Sequence, residues 1–185
     1  MSRLMIASDL HGDAETTEKL LKVFAESGAE KLILLGDLLY HGPRNDLPAG
    51  YAPKRVIEML NAKKDSLLCV RGNCEAEVDQ MVLDFPVMAD FQRFTVGGVS
   101  FYATHGHHKN RENPPRMKRG EVLLTGHTHV PVAVRFGRKN LHINPGSVSI
   151  PKEDSPRSYV LYEDGHFSFL RLEDGAEYKS ASLEK

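Results

Sequence analysis

The chain has 185 residues, 41% hydrophobic and 26% charged, with a net charge of −1 when histidine is neutral. That length fits one domain with a sizeable core spanning residues 1–185, and the near-neutral balance gives no support to nucleic acid as a partner. Two cysteines, Cys69 and Cys74, are too few for a disulfide framework and suit a reducing, cytoplasmic setting.

Leu4 to Ala7 reads as a short buried strand. It is too short for a signal peptide, and no stretch reaches the roughly 18 apolar residues of a membrane span. Asp13 is placed to cap a helix that carries Leu20, Leu21 and Phe24 on one face and ends at Gly28. Leu32 to Leu35 is a second buried strand, followed by a long loop containing Pro43, Pro48, Gly50 and Pro53. Pro53 suits the first turn of a helix with Val56, Ile57, Met59 and Leu60 on its apolar side. Leu67 to Val70 is a third strand, so the first part predicts parallel strands joined by helical crossovers. A short helix is expected from Glu75 to Leu83. Then come Phe91–Val96 and Val99–Ala103, joined through Gly97-Gly98, and short strands at Val122–Thr125, Val132–Phe136 and Leu141–Ile143. Tyr159–Tyr162 and His166–Leu172 form a last hairpin around Asp164-Gly165, and the polar tail after about Glu173 is expected to be peripheral. The pattern predicts an α/β fold, a two-sheet β-sandwich flanked by helices, with a more parallel first part and a more antiparallel second part.

Polar clusters fall just past five of these apolar runs. They are Asp9-Leu10-His11, Gly36-Asp37, Gly72-Asn73, His105-Gly106-His107 and Gly126-His127-Thr128-His129. Ligands of open α/β sheets gather at the carboxyl ends of strands, and the adjoining glycines permit tight turns there. Singly, an Asp at a strand end is usually a helix cap, and Gly-Asp or Gly-Asn is ordinary turn chemistry. Five clusters in register with five strand ends are another matter. They supply the oxygen and imidazole ligands that a two-metal hydrolytic site needs.

In that order, Asp9-x-His11, Gly36-Asp37, Gly72-Asn73, His105 and Gly126-His127-Thr128-His129 resemble the calcineurin-like metallophosphoesterase family, and the match spans residues 7–147. Gly72-Asn73-Cys74-Glu75, the loop from Gly36 to Pro53 and Asn144-Pro145-Gly146-Ser147 look like its small bacterial and archaeal phosphodiesterases. The resemblance implies a four-layer αββα sandwich. It further implies that Asp9, His11, Asp37 and His129 hold one divalent metal ion and that Asp37, Asn73, His105 and His127 hold a second. Manganese is the first expectation, with zinc, iron, cobalt or nickel as alternatives. A hydroxide between the metals would attack phosphorus in line, without a covalent intermediate, on a small phosphodiester. A phosphomonoesterase, a nuclease or a protein-binding scaffold, as in the related retromer subunit, are the other readings.

Most relatives carry a His where this chain has Cys74, which places the proton donor to the leaving group in question. A thiol is a weak donor, and two nearby cations would be expected to draw it toward thiolate. His41 and His107 are the competing candidates. Arg44 and Arg71 are candidates to meet phosphate oxygens, and the basic stretch from Lys109 to Arg119 reads as a solvated loop, with a rim that recognises an anionic substrate as the alternative. Leu47 and Tyr51 are candidates for pairing subunits in a homo-oligomer.

Overall fold

A computed structural model describes residues 3–183. Strands β1 (Arg3–Ala7), β2 (Lys31–Leu34) and β3 (Leu67–Cys69) alternate with helices α1 (Ala14–Ser27) and α2 (Pro53–Asn61). The Asp13 carboxylate accepts hydrogen bonds from the backbone N–H groups of Glu15 and Thr16, so it caps α1 as its position predicts. Gly28 ends that helix at φ 71°, a left-handed cap that only glycine adopts without cost. Pro53 opens α2, where its missing N–H is not needed.

β1 pairs in parallel with β2, and β2 with β3. Alternation along β1 splits the interior in two. Met5 and Ala7 face Leu20, Phe24, Val56 and Leu60 of the helices. Leu4 and Ile6 face the second sheet, against Phe101, Val122 and Ile143. A one-residue slip of β1 would exchange these two sets, so both cores fix its register. Phe101, Tyr162 and Phe167 are almost wholly buried in the layer between the sheets, each contributing on the order of 2–3 kcal/mol by area.

The second sheet holds β4 (Phe91–Val96), β5 (Val99–Thr104), β6 (Val122–Leu124), β7 (Val132–Phe136) and β8 (Asn140–Asn144), in the order β4-β5-β6-β8-β7. Its centre differs from the expected antiparallel character. β5, β6 and β8 are mutually parallel, and only the edges β4 and β7 run the other way. Short strands of three to six residues carry no mark of their direction; the long 105–121 connection makes the β5-to-β6 crossover without a helix. The three helices all lie in the first half of the chain among the described residues, with α3 (Glu77–Val82) the last. It starts two residues later than expected because Glu75 turns inward and is buried.

The last hairpin, β9 (Ser158–Glu163) and β10 (His166–Arg171), joins the first sheet, where β9 pairs antiparallel with β1. The tail expected to be peripheral supplies β11 (Glu177–Ser182), the edge strand beside β10. Its Ser, Ala and Lys residues have little strand propensity, but Tyr178 and Ala181 pack against the inter-sheet core. The finished order, β11-β10-β9-β1-β2-β3, puts the first strand in the middle of its sheet.

Candidate metal centre

The carboxyl ends of both parallel strand sets open onto one edge of the sandwich. Main-chain bonds lace the loops there. Asp9 N–H donates to Gly36 O at 3.1 Å, His11 N–H to Asp37 O at 2.9 Å, and Gly126 N–H to His105 O at 2.8 Å. Five of the loop residues singled out from the sequence adopt left-handed backbone: Asp9 (φ 58°), His11 (48°), Asp37 (57°), His127 (67°) and His129 (61°). Asp and His are among the residues that tolerate this region, though not freely.

Three imidazoles are set in one way. Nδ1 of His11 bonds to Tyr40 O at 2.8 Å, Nδ1 of His105 to Leu35 O at 2.7 Å, and Nδ1 of His129 to Ile150 O at 2.7 Å. A carbonyl only accepts, so each Nδ1 carries the hydrogen and each neutral ring presents the Nε2 lone pair inward. The Nε2 atoms of His11 and His129 stand 3.2 Å apart, and Asp9 Oδ1 lies 3.2 Å from His129 Nε2 and 3.6 Å from His11 Nε2. Asp9 Oδ1 is buried without a hydrogen bond. On the other side, His105 Nε2 is 3.4 Å from Asp37 Oδ2 and 3.1 Å from Asn73 Oδ1.

Lone pairs facing lone pairs at such distances call for a cation between them. Asp9, His11 and His129 form one group able to hold an ion, and Asp9, Asp37 and His105 form another. Without metal, protons serve instead. Burial works to lower His105, but the hydrogen bond and charge of Asp37 outweigh it and raise the ring to about 9. His11 is raised in the same way by Asp9. Burial alone would raise Asp9; the close rings of His11 and His129 and the charge of His105 hold it well below the usual carboxylate range instead. A divalent ion would have to displace these protons, which ties its affinity to pH.

His127 is placed less tightly. Its backbone N–H donates to Asp9 Oδ2 at 3.0 Å, while its ring stands 5.1 Å from the His105 ring and joins neither group. The Asp37 and Asn73 loops, by contrast, meet through Glu75. Its buried carboxylate accepts the backbone N–H groups of Asp37 (2.9 Å), Leu38 (2.7 Å) and Gly72. Burial, with Asp37 nearby, raises Glu75 to about 7. Sequence reading gave Glu75 no task; its place within Gly72-Asn73-Cys74-Glu75 was the available signal. A Cβ on Gly72 would meet the Asp37 backbone N at 2.5 Å and Glu75 Oε2 at 2.7 Å, so glycine is required by contact.

The Asn144-Pro145-Gly146-Ser147 segment braces the site from behind. Asn144 Nδ2 donates to Gly126 O at 2.7 Å and Thr128 Oγ1 at 3.0 Å. The hydroxyls of Ser147 and Ser149 donate to Asp9 O at 2.8 and 2.9 Å. Together they hold the Asp9 and His127–His129 loops to one frame. Ser149 carried no sequence signal, because a lone serine after a turn has no distinguishing pattern.

The three proton-donor candidates separate. Cys74 lines an open pocket of about 400 Å³ that also exposes His11, Asp37 and His129, and neither His41 nor His107 is part of its wall. Nδ1 of both rings is buried without a partner. His41 is held edge-on between Tyr40 and Tyr51, and burial beside His105 and His108 lowers His107 to about 4. The thiolate expected of Cys74 rests on two bound cations; the protein's own groups act on it in the opposite direction. Burial and the charge of Asp37 push its pKa up. Cys74 Sγ also forms a third potential ligand group with His11 and Asp37, a thiol contribution that the oxygen-and-imidazole reading left out. Lys152, absent from the sequence candidates, joins Arg44 on the pocket wall, while Arg71 lies outside it. In the 105–121 loop, Arg111 pairs with Glu112 at 2.7 Å, the behaviour of a solvated loop. No helix among the described residues is long and apolar enough to cross a membrane.

Residues 2–164 match the family model of the calcineurin-like phosphoesterase superfamily domain. The chain is 48% identical over 174 residues to phosphodiesterase YfcE of Escherichia coli K12, covering 94% of each protein. The solved structure of the E. coli phosphoesterase YfcE superposes with a TM-score of 0.95 at 46% identity, over 98% of this chain and 100% of that one. An archaeal phosphodiesterase (TM-score 0.63, 20% identity, 98% of this chain and 99% of that one) shares the fold. So does Vacuolar Protein Sorting 29 of Cryptosporidium parvum (TM-score 0.66, 18% identity, 100% of this chain and 98% of that one). With the family match spanning most of its length, this chain belongs to the calcineurin-like phosphoesterase superfamily.

Proposed function

We propose that the chain is a phosphodiesterase that uses two divalent metal ions to hydrolyse small phosphodiesters, with water attacking phosphorus in line and no covalent intermediate. The observation that carries this reading is the tautomer arrangement. His11, His105 and His129 each donate Nδ1–H to a backbone carbonyl and turn Nε2 toward Asp9 or Asp37. Orienting bonds of that kind are typical of metal-ligating histidines. Asp9, His11, Asp37 and His129 would hold one ion, and Asp37, Asn73, His105 and His127 the other, with Asp37 shared. Manganese is the first candidate from the family resemblance, and the oxygen-and-nitrogen set equally suits zinc, iron or cobalt. When bound, two such ions supply Lewis acidity toward the phosphoryl oxygens and a nucleophile at neutral pH.

The protein's own groups position and enclose. The Glu75 carboxylate and the hydroxyls of Ser147 and Ser149 fix the backbones that carry Asp37 and Asp9. The open pocket leaves room for an ester arm beside Cys74. Cys74 is a weak donor as a thiol and none as a thiolate, so it gives poor help to a leaving oxygen, and diesters with good leaving groups should outrun unactivated alkyl monoesters. Two unpaired cysteines fit a reducing cytoplasm.

The test is hydrolysis of bis-p-nitrophenyl phosphate and p-nitrophenyl phosphate by metal-stripped protein, before and after Mn²⁺ addition, beside Asp37→Ala. Diester turnover that requires the metal and vanishes in the variant is expected. A folded protein inactive with every divalent metal would overturn the reading.

A further inference from the structure

The pocket beside the metal centre has two cations on its wall, Arg44 and Lys152, and Asp37 is the one carboxylate there. Asp37 is already engaged, by His105 Nε2 and by the Cys74 N–H at 2.9 Å. Neither Arg44 nor Lys152 has a side-chain hydrogen bond or ion pair among the described residues.

Their positions are nonetheless set. Arg44 sits in a turn closed by Asn45, whose N–H donates to Gly42 O at 3.3 Å and whose Nδ2 donates to His41 O at 2.8 Å. Lys152 N–H donates to His129 O at 3.2 Å, so its backbone is tied to a candidate ligand. Glu153 and Asp154 follow in left-handed conformation (φ 54° and 55°), and Ser155 N–H closes the turn onto Lys152 O at 3.1 Å. Two tethered turns thus carry two cationic side chains onto the wall of one cavity, neither in an ion pair among the described residues. A phosphodiester carries a single negative charge, which the metal centre itself would meet. The extra cations suit a substrate with more charge than that.

Resting on the proposed diesterase reading, we infer that one ester arm of the natural substrate bears a second anionic group, a phosphate rather than a neutral alcohol, and that Arg44 and Lys152 hold it. They are specificity residues for that arm. A phosphate dianion matches a guanidinium and an ammonium in charge and offers each an acceptor oxygen.

The experiment compares p-nitrophenyl phosphodiesters whose second arm is ethyl, 2-carboxyethyl, 2-phosphonoethyl or 2-aminoethyl, all with Mn²⁺-loaded protein. The expected order of kcat/KM is phosphonoethyl, carboxyethyl, ethyl, aminoethyl. The phosphonoethyl-to-ethyl ratio should be on the order of tenfold, because exposed charge pairs count for less than buried ones. In Arg44→Gln, in Lys152→Gln and most in the double variant, that ratio should fall toward one. A wild-type ratio near one would overturn the inference, and so would a ratio that survives in the double variant. Bis-p-nitrophenyl phosphate in the same assay reports the diesterase reading separately. Should no diester turn over, calorimetric titration with unreactive methylphosphonate monoesters bearing the same four arms decides the matter. Arm-dependent affinity lost in the variants supports the inference, and equal affinities reject it.

Discussion

Glu75 joins the Asp37 and Asn73 loops, and replacing it by Gln measures that junction. Oε2 accepts from Asp37 and Gly72, and Oε1 accepts from Leu38. A glutamine keeps one acceptor oxygen. Its best placement serves Asp37 and Gly72 and turns the amide NH2 against the Leu38 N–H, donor facing donor. One buried N–H left unpaired costs about 1–3 kcal/mol. For a chain of this size that corresponds to a melting temperature lower by roughly 2–12 °C. Glu75→Ala would strand all three N–H groups, on the order of 3–9 kcal/mol, which rivals the whole stability of a typical domain. The pH dependence is a second signature. Glu75 is raised from 4.5 to about 7 by burial and Asp37, so the folded metal-free protein binds this proton more tightly than the unfolded chain. That contribution to stability is complete below pH 4.5 and is lost as pH rises through 7. Glutamine lacks it, so the gap between the two proteins should narrow from pH 5 to pH 8. Thermal unfolding followed by circular dichroism gives both quantities, and Mn²⁺ titration of activity should show affinity weakened about 10–100-fold. Melting within 1 °C of wild type together with unchanged Mn²⁺ affinity would refute the role assigned to this carboxylate.

Two further outcomes follow from contacts at the site. Cys74→His supplies a competent donor where a weak one stands, and should raise the rate on an alkyl monoester relative to bis-p-nitrophenyl phosphate about tenfold or more; an unchanged ratio, measured under the same Mn²⁺ conditions, would remove Cys74 from leaving-group chemistry. A Cβ on Gly126 would meet Ser8 Oγ and come within 2.7 Å of Asp9 Oδ2. Gly126→Ala should therefore displace Asp9, cost about 1–3 kcal/mol and weaken metal binding, and a variant with wild-type melting and Mn²⁺ affinity would show that the close approach is not needed.

Strand positions and the polar clusters at their ends were legible in the sequence because both follow local rules: apolar runs, then turn residues carrying polar side chains. Asp9, His11, Asp37, Asn73, His105 and His129 do meet at one strand edge. Direction and sheet membership were not legible. β8 is parallel to β6, and β9 lies beside β1, through pairings more than 15 residues distant in sequence. The bracing residues escaped for a related reason. Ser149 and Glu75 act through hydrogen bonds to main-chain atoms elsewhere in the chain, and such bonds leave no periodicity. His41 and His107 lie off the wall of the pocket that holds Cys74, although the His107 ring stands 5.4 Å from that of His105 and 6.1 Å from that of His127.

Five candidate ligands hold left-handed backbone, and at about 1 kcal/mol apiece they set some 5 kcal/mol against folding. That is comparable with the entire margin by which many domains stay folded. The scaffold and the chemistry therefore pull in opposite directions. Once selection for catalysis is relaxed, substitutions at these positions, glycine or asparagine above all, ease the main chain while silencing the reaction. Relief of this backbone strain and retention of the inward-facing ligand geometry therefore exclude one another at these five positions.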